Sequence, residues 1–178
     1  ANRKRPEIWV GLVKALVLGK HPEEAEKAIE EAKSAIKSEQ TELAIGQCYE
    51  LLGNQDLARD YYRQAMASSP NNPELSRKWI EFQMKSGAFP EAEKSIREML
   101  KEPSGTSESD QIIRLWLRRN LAVTLLSSGR RESVAEALAL IDQNMAEVTP
   151  PAREDLRLKA TILARGSTQV ERQQAIEI

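Results

Sequence analysis

His21, the single histidine of the chain, lies in the turn Lys20-His21-Pro22. The run His21-Pro-Glu-Glu-Ala has the outline of a zinc-protease helix. The second histidine such a site needs is absent, so a solvent-exposed helix cap is the simpler reading. Cys48, the single cysteine, excludes an intrachain disulfide and a cysteine-based zinc site. No basic partner can be assigned to it, which favours a small, semi-buried apolar role over a nucleophilic one. Glu23, Glu24, Glu26, Glu30 and Glu31 crowd one segment together with Lys27. General acid–base work needs two carboxylates in different environments of a cleft, so this cluster reads as a solvated helix face. Seven residues separate Gly11 from Gly19-Lys20, too many for a phosphate loop, and no dinucleotide fingerprint occurs. The residues thus point to no catalytic group, no metal and no cofactor. What remains is basic: five arginines and no acid between Gln111 and Arg131, with Trp116 among them. Such a run suits charge-assisted hydrogen bonds to carboxylate or phosphate, and Trp116 suits an aromatic anchor. Against this stand ion pairing with nearby glutamates and the packing of Trp116 under its neighbours.

Composition sets the frame for these residues. The 178 residues carry 26 Lys plus Arg against 27 Asp plus Glu, a net charge of −1 that argues against a dedicated nucleic-acid binder. Aromatics make up only 4% of the chain while Ala, Glu, Leu, Lys and Arg abound, which favours helices over sandwiches and barrels. The longest apolar-leaning stretch, 112–126, is broken by Arg114, Arg118 and Arg119, so no membrane span is expected. The start Ala-Asn-Arg-Lys-Arg has no initiator Met and no apolar core, and so is no signal peptide. Ala1 reads as a residue left by cloning and the chain as a piece of a longer protein. Scarce cysteine and the missing signal lean towards the cytoplasm.

The elements that position these residues recur with a period. Residues 39–72 contain Ile45-Gly46, Tyr49, Gly53, Ala58, Tyr62, Ala65 and Pro70. Thirty-four residues on, Ile80, Gly87, Ala92, Ile96 and Met99 take the places of Gly46, Gly53, Ala58, Tyr62 and Ala65. A copy one period earlier shows Trp9, Leu12, Val13 and Leu16, then Ala25, Ile29 and Ala32. Later copies show Leu121-Ala122, Leu125 and Gly129 with Ala137, Ile141 and Met145, and then Leu158, Ile162, Gly166, Ala175 and Ile176. Apolar spacing of three and four on both sides of a glycine turn predicts two helices per copy. Asp56, Pro22 and Pro90 mark helix starts, and Ser68 to Pro73 separates two units. The repeats run at approximately 5–38, 39–72, 73–106, 111–149 and 152–178, the last incomplete, within one domain over 1–178. Residues 103–110 form an inserted loop, with Ser109 or Asp110 able to cap the following helix.

This pattern resembles the tetratricopeptide repeat family, whose signature is W-x2-L-G-x2-Y, then A-x3-F-x2-A, then P over 34 residues. Ile45-Gly46, Tyr49, Ala58, Tyr62, Ala65 and Pro70 match it best, and Trp9, Leu12, Leu16, Ala25, Ile29 and Ala32 match it next. The resemblance implies an all-α fold, a right-handed superhelix (α-solenoid) of antiparallel helix hairpins. It also implies that the first helix of each pair lines a concave groove that takes peptides or protein segments, in scaffolds and adaptors without catalytic activity. Family geometry with helical spacing puts Lys14, Gln47, Arg77, Lys78, Glu81, Lys85, Arg119 and Asn120 on the inner face, with Trp116 beside them. That set is mostly basic and fits an acidic peptide, a terminal carboxylate or a phosphorylated segment. Val10 and Ala44 stand at two places where one subgroup carries the Lys and Asn of a chaperone carboxylate clamp, which argues against that ligand.

The expected function is a non-catalytic protein–protein interaction scaffold that holds a peptide or protein segment in its groove. An RNA-binding helical repeat is the alternative, weakened by the near-neutral charge and by the lack of a recurring polar pair in each unit. A scaffold region of a larger enzyme or assembly is the third. The unfinished last helix offers an edge for self-association.

Overall fold

The structure is a computed structural model that describes residues 5–36, 40–70, 72–101, 107–127, 131–165 and 173–176. The described residues form helices and turns with no strand among them. The chain divides into two compact units between Phe82 and Gln83.

The first unit contains α1 (Pro6–Leu18), α2 (Pro22–Ala35), α3 (Thr41–Leu52), α4 (Gln55–Ser68) and most of α5 (Pro73–Lys85). Proline at the first position of α1, α2 and α5 fits a place where the missing N–H loses no hydrogen bond. Gly53 ends α3 at φ 84°, a left-handed conformation that glycine adopts freely. Asn54, not Asp56, then caps α4: its side-chain oxygen accepts from Leu57 N at 3.2 Å. Asp56 lies two positions after the cap and pairs with Arg59. α1 packs on α2 and α3, α2 on α3, and α3 on α4. Their apolar stripes meet in a core of Trp9, Val13, Ala25, Ile29, Ala32, Ile45, Cys48, Ala58 and Tyr62. Tyr62, Trp79 and Phe82 add an aromatic cluster with ring centroids 4.9–6.0 Å apart. Trp9 is buried as its stripe requires, but Leu12, matched to the same stripe, is 42% exposed. It points away from α2 and α3, which cover the opposite side of α1.

The second unit contains the end of α5 with α6 (Phe89–Lys101), α7 (Glu108–Ser127), α8 (Arg131–Glu147) and α9 (Arg153–Ala164). Each of α6, α7 and α8 packs on the next, and α9 also touches α7. Ala92, Ile96, Leu121, Ala122, Leu125, Ala137, Ile141 and Ile162 are buried, as their spacing predicts, and Leu117 joins them. Of the inserted loop, residues 103–106 lie outside the described residues. Beyond them Ser107 caps α7. Its hydroxyl accepts from Asp110 N at 3.2 Å, and the Asp110 carboxylate accepts from Ser107 N at 3.1 Å. The cap is therefore Ser107 and not Ser109 or Asp110; Asp110 is its reciprocal partner, three residues on. Gly129 and Gly166 lie outside the described residues, while Ala175 and Ile176 fall in a helical turn with Ile176 exposed.

Candidate functional site

A cleft of about 450 Å³ opens in the first unit between α1, α3, the end of α4 and the start of α5. Helical spacing builds its walls. Pro6, Glu7 and Val10 come from α1; Leu43, Ala44 and Gln47 come from α3, with Gln40 at its cap. Ser69, Asn72, Glu74 and Leu75 close the far side. Asn72 is fixed there because its Oδ1 accepts from the backbone N–H of both Glu74 and Leu75, capping α5. Among the described residues, Glu7 and Glu74 are the only charged residues of the lining, and both are carboxylates. The described lining thus carries carboxylate and amide groups and no cation.

The reason lies in where the cations go. Of the residues placed on the inner face by the sequence, Gln47 lines the cleft and is half-buried. Lys14 lies two turns beyond Glu7 on α1, exposed and outside the lining. Arg77 and Lys78 both reach Glu81 on their own helix, at 3.1 and 3.2 Å. These three residues therefore form one local cluster. Lys85, Trp116, Arg119 and Asn120 belong to the second unit. Lys85 is exposed at the end of α5, and Trp116 is half-buried with its carbonyl accepting from the Asn120 amide at 2.7 Å.

Arg119 is held inside its unit. Its Nε and Nη2 donate to the two carboxylate oxygens of Asp155 at 2.6 and 2.7 Å, in the bidentate geometry that suits guanidinium and carboxylate. Asp155 is fully buried. Its Oδ1 also accepts from Asn144 Nδ2, which donates to the Leu115 carbonyl as well. Arg118 in turn donates to Glu147 at 2.7 Å. The hydrogen bonds to Asp155 hold the Arg119 guanidinium above its usual range against the opposing effect of burial. This network ties α7, α8 and α9 together, and the sequence reading missed it. A signal existed: Asn144 continues the spacing of Ala137 and Ile141, and Asp155 precedes Leu158 and Ile162 at the same spacing. Each polar residue stands where the stripe calls for an apolar one.

A second polar cluster pins α2 in the first unit. Lys33 Nζ donates to Glu30 at 2.6 Å and to the Tyr49 hydroxyl at 2.8 Å, and it lies 5.2 and 5.6 Å from the ring centroids of Tyr49 and Tyr61. Burial would lower this ammonium's pKa, but the Glu30 carboxylate and the Tyr49 hydroxyl outweigh burial and raise it. The glutamates of α2 are exposed, as a solvated face requires. Glu23, Glu26, Glu30 and Glu31 border an open cleft of about 770 Å³ with Tyr49, Leu52 and Leu57.

His21 is exposed just before α2 and caps it by position only; its Nδ1 lies 3.3 Å from Glu24. Among the described residues no three His, Cys, Asp or Glu side chains gather as a metal site. Likewise, no helix there is long and apolar enough to cross a membrane. Cys48 is fully buried, deeper than expected, and burial pushes its thiol up to about 12. In the unfolded chain a cysteine titrates near ~8.5. Below that pH both states keep the proton. Above it only the unfolded state loses it, so stability falls by about 1.4 kcal/mol per pH unit until the folded thiol itself titrates. Urea unfolding between pH 8 and about pH 9.5, below the range where Tyr62 and Lys33 (both raised by folding) begin to contribute, is expected to show this slope, and Cys48→Ala is expected to remove it. Equal slopes for the two proteins would place Cys48 in contact with solvent.

Residues 43–72, which contain the cleft wall of α3 and all of α4, match the tetratricopeptide repeat family. No curated protein sequence matches the chain significantly. Among solved structures, pilF of Pseudomonas aeruginosa is similar at TM-score 0.64 and 16% identity, over 97% of this chain and 73% of that one. The kinesin light chain nearly identical TPR-like repeats of Podosopora anserina are similar at TM-score 0.65 and 16% identity, over 99% of this chain and 92% of that one. At such identities the likeness speaks for the fold alone. Residues 43–72 are thus similar to a tetratricopeptide repeat, and the chain has the helical-hairpin fold of these solved structures.

Proposed function

We propose that the chain is a non-catalytic protein-interaction module and that the cleft of the first unit holds an extended segment of a partner protein. The observation that carries this reading is the cleft itself. It is open, lined by several successive helices, and furnished with apolar floor residues (Val10, Leu43, Leu75) between polar groups (Gln47, Asn72). A peptide fits such a lining by laying apolar side chains on the floor and backbone amides against Gln47. Glu74 selects lysine or arginine in the segment and repels acids, since like charges across an interface weaken binding and opposite charges steer it. The acidic ligand that the sequence favoured would need the cations of Arg77, Lys78 or Arg119, which carboxylates of this chain already hold.

Selection from a random displayed peptide library tests the reading. Enrichment of peptides bearing Lys or Arg next to apolar residues is expected. Their affinity is expected to fall about tenfold or more in a Gln47→Arg plus Glu74→Lys variant, because a reversed charge and a filled floor act together. Ribonuclease-sensitive capture of RNA from an extract, or enriched peptides indifferent to the variant, would overturn it. Both positions are outside the core, so circular dichroism should be unchanged in the variant.

A further inference from the structure

The face of α1 that points away from α2 and α3 is apolar along its length. Ile8, Leu12 and Leu18 are 41%, 42% and 74% exposed, and Gly11 and Ala15 lie exposed between them. At 100° per residue these five fall within one arc opposite the buried Trp9 and Val13. Three exposed large apolar residues on one helix face form a patch, unlike the scattered exposure normal on a protein surface. Gly11 adds a second anomaly. A glycine inside a helix costs about 1 kcal/mol relative to alanine. Yet a Cβ at this position would meet nothing within 4 Å, so no neighbour in the chain requires the glycine. It leaves a shallow notch at the middle of the apolar arc, the feature that lets a second helix approach closely.

The charges beside the arc say which helix. Glu7 and Lys14 are the only charged residues of α1. Seven residues apart, two helical turns, they sit on the same flank of the arc on either side of Gly11. Lys14 has no ion-pair partner among the described residues, and Glu7 has only Arg5, at 3.7 Å with both side chains well exposed. A two-fold axis through Gly11, with two α1 helices antiparallel, sets Glu7 of each copy beside Lys14 of the other. The same axis lays Ile8 of one copy over Leu12 and Ala15 of the other and places glycine against glycine at the crossing. An isologous interface requires self-complementarity of this kind, a patch that satisfies its own image.

We propose that α1 is a homodimerisation surface, in which two copies of the chain pair antiparallel through Ile8, Gly11, Leu12 and Ala15 with reciprocal Glu7–Lys14 ion pairs. The helix is about 20 Å long, so the contact is smaller than a standard interface of ~1,600 Å². The dimer is accordingly weak, with a dissociation constant of order 100 µM.

Sedimentation equilibrium of the whole 178-residue chain across concentrations on either side of that value tests the proposal. Wild type is expected to pass from monomer to dimer. Glu7→Lys and Lys14→Glu, each of which replaces two attractive pairs with two repulsive ones, are expected to weaken the dimer about tenfold. The double variant Glu7→Lys plus Lys14→Glu, which restores opposite charges across the two-fold, is expected to recover it. Gly11→Leu is expected to abolish it by filling the notch while leaving the helical content of the monomer unchanged, since the space around Gly11 is open. A chain that stays monomeric throughout would overturn the proposal. So would a dimer indifferent to the single charge reversals, as an association through the last helix would be.

Discussion

Asp155→Ala will destabilise the protein by about 3–5 kcal/mol, the loss seen when one partner of a buried ion pair is removed. Asp155 is fully buried and accepts from Arg119 through both carboxylate oxygens, and from Asn144 as well. Alanine leaves the guanidinium without its counter-charge and the Asn144 amide with only the Leu115 carbonyl. Because α9 is tied to α7 and α8 through this carboxylate, its helix should be the first to lose amide protection. The second half of the expectation separates the pair from its parts. Arg119→Met with Asp155→Leu removes both charges together, and buried pairs replaced by apolar side chains of similar volume are often neutral in stability. The double variant should therefore recover most of the loss. Urea unfolding followed by circular dichroism gives both values; a loss below about 1 kcal/mol for Asp155→Ala would show the pair to be solvated.

Gly46→Leu and Ala58→Arg should each cost the first unit several kcal/mol, by different physics. Gly46 is buried on α3 where α4 crosses it. A Cβ there would stand 3.4 Å from Tyr61 Cβ, from Tyr62 Cδ2 and from the Tyr62 backbone nitrogen. That is the near edge of ordinary contact, so Gly46→Ala fits and gains helix propensity, with a net change within about 1 kcal/mol. The branched side chain of leucine has no such room and must push Tyr62 out of the aromatic cluster, at about 1–3 kcal/mol or more. Ala58, fully buried, faces the same crossing from α4. Arginine there buries a charge with no counter-ion, which costs about 3 kcal/mol or more. Melting temperatures in the order wild type ≈ Gly46→Ala > Gly46→Leu > Ala58→Arg would establish the α3–α4 crossing. Unchanged melting of the last two would break it.

The helical hairpins were legible because each obeys a local rule. Ala58, Tyr62 and Ala65 repeat at helical spacing and are buried, and Gly53 stands where α3 must turn left-handed. The 34-residue period carried that reading from the clearest copy to Ile80, Ala92 and Ile96. Caps were read two or three positions late, because Asn54 and Ser107 are identified by which N–H they reach and not by residue type alone. The pairing of the expected groove cations was only partly legible, for a reason of range. Arg77 and Lys78 are neutralised by Glu81 three and four residues on, which helical spacing does allow one to foresee. Arg119 is neutralised by Asp155, 36 residues away on another helix, and a count of local charge gives no warning of that. Leu12 shows the opposite error. Its type and spacing fit the core, but a helix packed on one side only leaves part of its apolar arc uncovered.

The most direct test of the binding site is a titration of the ¹⁵N-labelled chain with an enriched peptide. The side-chain amides of Gln47 and Asn72 both line the cleft and serve as reporters of its occupancy. Shifts at both, together with the backbone of Glu7 and Glu74, before any other residue responds are the expected result. Shifts centred on the glutamates of α2, or confined to the second unit, would contradict the assignment of the first-unit cleft as the place where a partner is held.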